Sequence, residues 1–215
     1  MGKKKLIYGI GIVDTNYRLI ETIELPKING KRQQKILWRC PYYVRWLFML
    51  RRCYSENNLT ANPTYLGCSV CTEWLTFSNF KSWMEQQDYE GKQLDKDLLV
   101  YENKVYSPET CVFVSKEVNV FMVKGDSVRG KYPLGVSYRN KNGFKFQTQI
   151  CSGDRKHLGY YPTAEEAHRV WQLAKIERAK CLLEKQTDIR IIAGLQRIIN
   201  KIQYDCDNNL ETVDF

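Results

Sequence analysis

From Phe144 to Cys151 the side chains alternate in character: Phe144, Phe146, Thr148 and Ile150 fall on one side of an extended chain, and Lys145, Gln147, Gln149 and Cys151 on the other. A strand of this kind can bury only one of its faces, and the other presents hydrogen bonds and positive charge. Turn residues bracket it, Asn140 to Gly143 before and Ser152 to Asp154 after. The pattern predicts three short basic strands. Thr163, with Glu166 three residues on, forms a capping box for a following helix, whose Ala167, Val170, Trp171 and Ala174 share the side that packs on the sheet. Between residues 131 and 160 stand Lys131, Arg139, Lys141, Lys145, Arg155 and Lys156 against the single acid Asp154, a net charge of +5. Such a surface favours a polyanion.

The GVSYR start, the HLGYYPTAEEAHRVW segment and the strand spacing between them resemble the Apetala/ethylene-response-factor type of DNA-binding domain. The resemblance covers about a quarter of the chain. It implies a three-stranded sheet laid in the major groove of double-stranded DNA, with long polar side chains on base edges and cations on phosphates. The expected contacting set is Arg139, Lys141, Lys145, Gln147, Gln149, Arg155 and Lys156.

The whole chain agrees. Its 215 residues suffice for one large domain or two small ones, and a net charge of +9 favours nucleic acid or another acidic surface. No apolar run approaches eighteen residues, and MGKKKLIYGIGIV lacks a long apolar core and a small-residue cleavage site. A soluble, cytoplasmic chain without membrane contact is expected. Eight cysteines in a chain of this size read as reduced thiols. Cys68 and Cys71 have C-x-x-C spacing, and Cys40 and Cys53 are possible partners for a structural zinc. CPYYVRWLFMLRRC reads as a helix that would hold Cys40 and Cys53 far apart, so buried, unligated cysteine is the favoured reading over zinc.

Upstream lies a second block. Its opening helix carries Tyr43, Trp46, Leu47, Leu50 and Cys53 on an apolar face; a loop, SENNLTANPTYLGC, follows, and then a helical pattern around Phe77, Phe80, Trp83 and Met84. From Lys31 to Arg52 there are seven cations, Lys31, Arg32, Lys35, Arg39, Arg45, Arg51 and Arg52, and no acid. This is either a second phosphate-facing surface or a set of basic side chains snorkelling around a helix. LDKDLLVYENKVYSPETCVFVSKEVNVF, with RCYS at 52 to 55 and VCTEWLTFSNF at 70 to 80, resembles the HNH-related endonucleases of phages, including homing endonucleases, which often join such a block to the DNA-binding domain just described. The order of the two blocks matches.

The resemblance implies a small ββα block that holds magnesium or manganese on the scissile phosphate in the cytoplasm of a phage-infected bacterial host. Carried across by position, Asp95 falls on the strand's metal ligand, Asn103 in the loop and Asn119 on the helix ligand. These hard oxygen donors suit magnesium or manganese better than zinc. Lys96 stands where the family has its catalytic histidine, and the two histidines of this chain, His157 and His168, both lie in the DNA-binding block. An ordinary lysine is protonated at neutral pH and binds a phosphate oxygen more readily than it activates water. Strand alternation offers a different pair, Asp95 and Asp97 on one face. The two proposals for the site both stand at this level.

The fold class expected is α+β: a small HNH-like ββα-metal block with flanking helices, joined to a three-stranded antiparallel sheet plus helix DNA-binding domain and a C-terminal helix. The segments are a strand-rich arm at 1–37, the nuclease block at 38–121, a charged Gly-containing linker at 122–132, the DNA-binding domain at 133–187, and a helix with an acidic tail at 188–215. In the arm, GIGIV and LIETIEL are apolar runs around a turn at Asp14 to Asn16, and KINGKR is a hairpin turn. Ile191, Ile192, Leu195, Ile198, Ile199 and Ile202 recur at helical spacing, packing on the chain's own core or pairing two protomers as a homodimer. The tail DNNLETVDF reads as mobile. Two functions follow: a metal-dependent DNA endonuclease, or a DNA-binding regulator or inhibitor derived from one and lacking catalysis.

Overall fold

The computed structural model describes residues 6–124, 130–141, 143–151 and 155–215, with backbone alone at residues 141, 151 and 155. The turn expected at 152–154 and the middle of the expected linker, 125–129, lie outside the described residues. The chain packs as two units, Met1–Tyr89 with Asn103–Thr110, and Glu90–Glu102 with Cys111–Phe215. The stretch 38–121 is therefore shared between both units.

Among the described residues the first unit begins with a tight turn, not a strand: Tyr8 and Gly9 have φ of 50° and 78°, and Ile7 bridges to Gly11. A Cβ on Gly11 would lie 2.5 Å from Leu50 Cδ1 and 2.9 Å from Trp46, so only glycine lets this turn close on the helix beneath. β1 (Ile20–Ile28) and β2 (Lys31–Arg39) then form an antiparallel ribbon around Asn29 and Gly30, at φ of 50° and 74°. Two successive positive φ values are what a two-residue hairpin turn needs, and Asn-Gly supplies them at least cost.

α1 (Pro41–Tyr54) starts with proline at its first position and ends with Arg51 and Arg52 in its last turn, both favourable to a helix. It buries Tyr43, Trp46, Met49, Leu50 and Cys53, with Met49 in the place expected for Leu47. α1 packs on α3 (Phe77–Met84). Trp46 and Phe77 lie with ring centroids 5.6 Å apart, and Trp46 Nε1 donates to the Trp74 carbonyl at 2.6 Å, so the indole's polar atom is satisfied inside the core. α3 lacks a side-chain cap from its own N-cap residue; Asp14 supplies one instead, accepting from the Ser78 N–H at 3.1 Å. The expected loop carries a short helix, α2 (Glu56–Ala61). β3 (Ser69–Val70) pairs in parallel with β5 (Val105–Tyr106).

In the second unit β4 (Gln93–Asp95) pairs antiparallel with β6 (Val112–Val114), followed at once by α4 (Lys116–Phe121), whose N-cap Ser115 accepts from the Val118 N–H at 3.2 Å. β7 (Val136–Lys141), β8 (Phe144–Cys151) and β9 (Arg155–Tyr161) form the three-stranded antiparallel sheet in the order β7-β8-β9. The sheet lies on α5 (Ala164–Leu183), which packs along α6 (Ile189–Asp207). The α+β class is as expected.

One core joins these parts. Leu98, Val112, Val114, Val118 and Phe121 from the β4-β6-α4 block pack with Trp171, Ile176, Leu182, Ile191, Leu195, Ile198 and Ile202 from α5 and α6. The isoleucine stripe of α6 is thus taken up within the chain's own core. Gly135, the glycine of GVSYR, has φ of 78°, and a Cβ there would fall 1.9 Å from Trp171 Cδ1. That glycine lets the start of the sheet touch α5 directly.

The C-terminal tail departs from expectation, for Thr212 and Phe215 are buried. Gln172 Nε2 donates to the Leu210 carbonyl and to Thr212 Oγ1, each at 2.9 Å, and Thr212 Oγ1 donates to Asp205 Oδ2 at 2.9 Å. The Thr212 N–H donates to His168 Nε2 at 3.0 Å, while His168 Nδ1 lies 2.9 Å from the Leu134 carbonyl. Since Nε2 accepts, the proton sits on Nδ1 and the ring is neutral. Composition suggested a loose tail because its polar residues have partners only in the folded chain. Among the described residues no helix is long and apolar enough to cross a membrane.

Candidate functional site

The sheet sorts its side chains by face. Val136, Thr148 and Gly159 are paired across the three strands, and Thr148, fully buried against α5, donates to the Gly135 carbonyl at 3.1 Å. Ser137, Gln147 and Tyr160 form the neighbouring row, and alternation turns them to the opposite, open face with Lys145 and Gln149.

Between Thr148 and Gln149 the β8-β9 register shifts by one residue, leaving Leu158 as the extra member of a bulge. Beyond it Gln149 pairs with His157, and Ile150 with Lys156. His157 therefore joins the open face: its Nδ1 lies 3.1 Å from Gln147 Nε2, and its ring centroid 4.7 Å from that of Tyr160. Of the expected contacting set, Lys145 is exposed and Gln147 and Gln149 half-exposed on this face. Arg139 is exposed on β7, and Lys156, also exposed, pairs with an inward residue. The side chains of Lys141 and Arg155 lie outside the described residues. Residue counting missed His157 and Tyr160, since two residues three apart share a face only where a bulge intervenes.

The expected cleavage residues divide between the units: Asp95, Lys96, Asp97 and Asn119 fall in the second, and Asn103 in the first. Asn103 closes a local turn, donating to the Val105 carbonyl at 2.7 Å and accepting from the Val105 N–H at 3.0 Å. Asp95 is the last residue of β4 and only 8% exposed. Its Oδ1 accepts from the Asp97 N–H at 3.0 Å and the Leu98 N–H at 2.7 Å, so the carboxylate caps the turn that follows. Burial pushes the carboxyl above its ordinary pKa, against those two N–H bonds, which pull it down.

Because the chain turns at Asp95, the strand pairing that would set Asp95 and Asp97 on one face ends before Asp97. Asp97 is exposed and ion-paired with Lys96, which is itself only 5% exposed. Asn119 sits half-buried on α4, a helix packed on both β4 and β6. Strand, turn and helix thus come together as a ββα unit. Neither histidine belongs to it: His168 is buried between Leu134 and Thr212, and His157 lies on the sheet.

Cys68 is buried and Cys71 half-buried, and burial raises the Cys71 thiol above its ordinary pKa, away from the thiolate that zinc takes. Among the described residues no three or more His, Cys, Asp or Glu side chains gather where they would hold a metal ion. Asp95 ends β4 and Asn119 lies on α4, and both side chains carry oxygen, the class of donor that magnesium and manganese take. Compared with protein-family models, curated proteins and solved structures, the chain matches none.

Proposed function

We propose that this chain binds double-stranded DNA through the open face of the β7-β8-β9 sheet and carries beside it a metal-dependent, HNH-like phosphodiester hydrolase centre. The observation that carries the reading is the sheet itself. Its buried face is spent on α5, and its other face presents Lys145, Gln147, Gln149, His157 and Tyr160 in register across two strands. Two glutamines beside a lysine, a histidine and a tyrosine match what the major groove offers, with amide groups on base edges and the ammonium of Lys145 on a phosphate.

The β4-β6-α4 block supports the hydrolytic part. Asp95 and Asn119 would hold the cation, which when bound polarises the scissile phosphate. Lys96 is buried and paired with Asp97, and its ammonium would meet a phosphate oxygen only by leaving that pair. Arg197 fixes the far side of the same turn by donating to the Leu98 carbonyl at 3.0 Å. The resemblance assigns such an activity to a phage-infected bacterium, on host or phage DNA.

A second reading, a DNA-binding regulator or inhibitor without cleavage, is favoured by one observation: a lysine stands in the histidine's place, and both histidines are engaged elsewhere in the unit. Supercoiled plasmid incubated with the purified chain in magnesium or manganese, beside Asp95→Ala and Asn119→Ala, decides between them. Metal-dependent nicked or linear product that disappears in both variants supports the nuclease. Salt-sensitive binding with no cleavage leaves the regulator.

A further inference from the structure

Among the described residues nothing covers the β1-β2 ribbon. All nine residues of β1 and all of β2 except Gln33 are exposed, including Ile20, Ile23, Leu25, Ile28, Ile36 and Trp38. An isolated two-stranded ribbon is marginally stable in water, so apolar residues on such a ribbon call for a partner. The charges say which kind. The acids, Glu21 and Glu24, stand near the base of the ribbon, where Arg39 and Lys35 lie across from Ile20 and Ile23, while the tip carries Lys27, Lys31 and Arg32 with no acid among them. The tip is narrow, because Asn29 and Gly30 at positive φ make the shortest hairpin turn. At that tip Ile28 is 62% exposed, between Lys27 and Lys31.

We propose that this ribbon is a second DNA-contacting element, which enters a groove of the duplex tip first. The proposal rests on the DNA-binding reading of the sheet and adds a site to it. Strands about 4.8 Å apart and nine residues long make a ribbon roughly 30 Å in length. A major groove about 12 Å wide admits a two-stranded ribbon. Lys27, Lys31 and Arg32 take phosphates on the groove walls, and Ile28 meets the apolar base edges of its floor, the thymine methyl groups. A second copy of the chain is the poorer occupant at β2: pairing of two β2 edges sets Lys31, Arg32, Lys35 and Arg39 of one copy beside the same cations of the other, which disfavours the pair.

The test compares the full chain with Lys27→Ala/Lys31→Ala/Arg32→Ala, with Ile28→Ala, and with the sheet variant Lys145→Ala/Gln147→Ala. The probe is sonicated mixed-sequence duplex DNA, titrated by fluorescence anisotropy over a range of salt. Losing three phosphate contacts should lower the slope of log K against log salt by about 2 to 3. Ile28→Ala should weaken binding and leave the slope in place. Restoring charge with Lys27→Arg/Lys31→Arg in the Arg32 background should restore the slope, which a folding defect would not. A wild-type slope in the triple variant, while the sheet variant loses affinity, would sink the ribbon and leave the sheet standing. No duplex binding by the wild-type chain would sink both. A concentration-dependent dimer that the triple variant or Ile28→Ala abolishes, with DNA binding unchanged, would assign the ribbon to self-association and overturn the proposal.

Discussion

The guanidinium of Arg197 donates from Nη2 to the carbonyl oxygen of Leu98 at 3.0 Å. This bond ties the last helix of the chain to the turn that follows Asp95, and one turn earlier Gly194 lets the helix come that close: a Cβ there would lie 2.7 Å from the same carbonyl oxygen. The turn that holds the candidate cleavage residues is therefore braced from a segment about a hundred residues downstream. Gly194→Ala should cost about 1 to 3 kcal/mol through overpacking. Arg197→Ala should cost about 1 to 3 kcal/mol by leaving a buried carbonyl without its donor. Chemical denaturation measures both, and plasmid cleavage should fall in each while binding to duplex DNA persists.

Asp95 separates structure from chemistry. Its carboxylate is buried and its pKa raised, so the folded state binds this proton more tightly than the unfolded chain does. The contribution to stability is complete below the unfolded-state pKa and is lost as pH rises through the folded-state value. At neutral pH the charged form is therefore a burden on the fold. Asp95→Asn keeps an oxygen for the Asp97 and Leu98 N–H groups and buries no charge. It should melt at or above the wild-type temperature at pH 7, with the gap closing in acid, and should abolish metal-dependent cleavage. Asp95→Ala should lose about 1 to 3 kcal/mol, since two inward N–H groups lose their acceptor.

On the sheet, a cation and an amide should fail differently. Lys145→Ala should weaken binding to all duplexes alike and lower the salt slope by about 1, whereas Gln147→Ala should cost about 1 to 3 kcal/mol on the preferred site and relax its sequence preference. His157→Ala, which removes the ring beside Gln147, should resemble the glutamine variant. Binding to a selected duplex library at several salt concentrations distinguishes these outcomes. A slope change for Gln147→Ala, or a preference change for Lys145→Ala, would count against the assigned roles.

Gly135→Ala should be among the most damaging single substitutions. The new Cβ would need the space of the Trp171 indole, 1.9 Å away, at a φ of 78° that side chains rarely adopt. A loss of about 3 kcal/mol or more is expected from overpacking and backbone strain together. Near-ultraviolet circular dichroism, which reports the Trp171 environment, should change with it.

The docked tail should prove structural. Thr212→Val removes the hydroxyl that accepts from Gln172 and donates to Asp205, and should cost about 1 to 3 kcal/mol. Hydrogen exchange should quicken at the Thr212 amide and leave the β7-β8-β9 strands unaffected.

Local sequence determined the elements whose signals need no distant partner. The alternation from Phe144 to Ile150 specified a strand whose Thr148 and Ile150 are buried, because side chains two apart share a side; Phe146 is half-buried and Phe144, at the strand's start, is exposed. Thr163 marked the start of α5 by capping its own backbone. The Asn29-Gly30 turn followed from which residues accept positive φ. Tertiary structure alone decided the rest. The bulge at Leu158 moved His157 onto the face of Gln147, and a one-residue shift in register has no signature in an alternating pattern. One difference is local: the cap that Asp95 places on the backbone of its own turn ended β4 and parted Asp95 from Asp97, so the carboxylate pair that strand alternation reads in LDKDL does not form. The tail, polar in composition, is held by His168, Gln172 and Asp205, and the acidic helix end it folds onto lies next to it only once α5 and α6 have packed. Hydrogen-bond partners that come from remote parts of a chain exist only after the core has brought them together, and no window of sequence contains them.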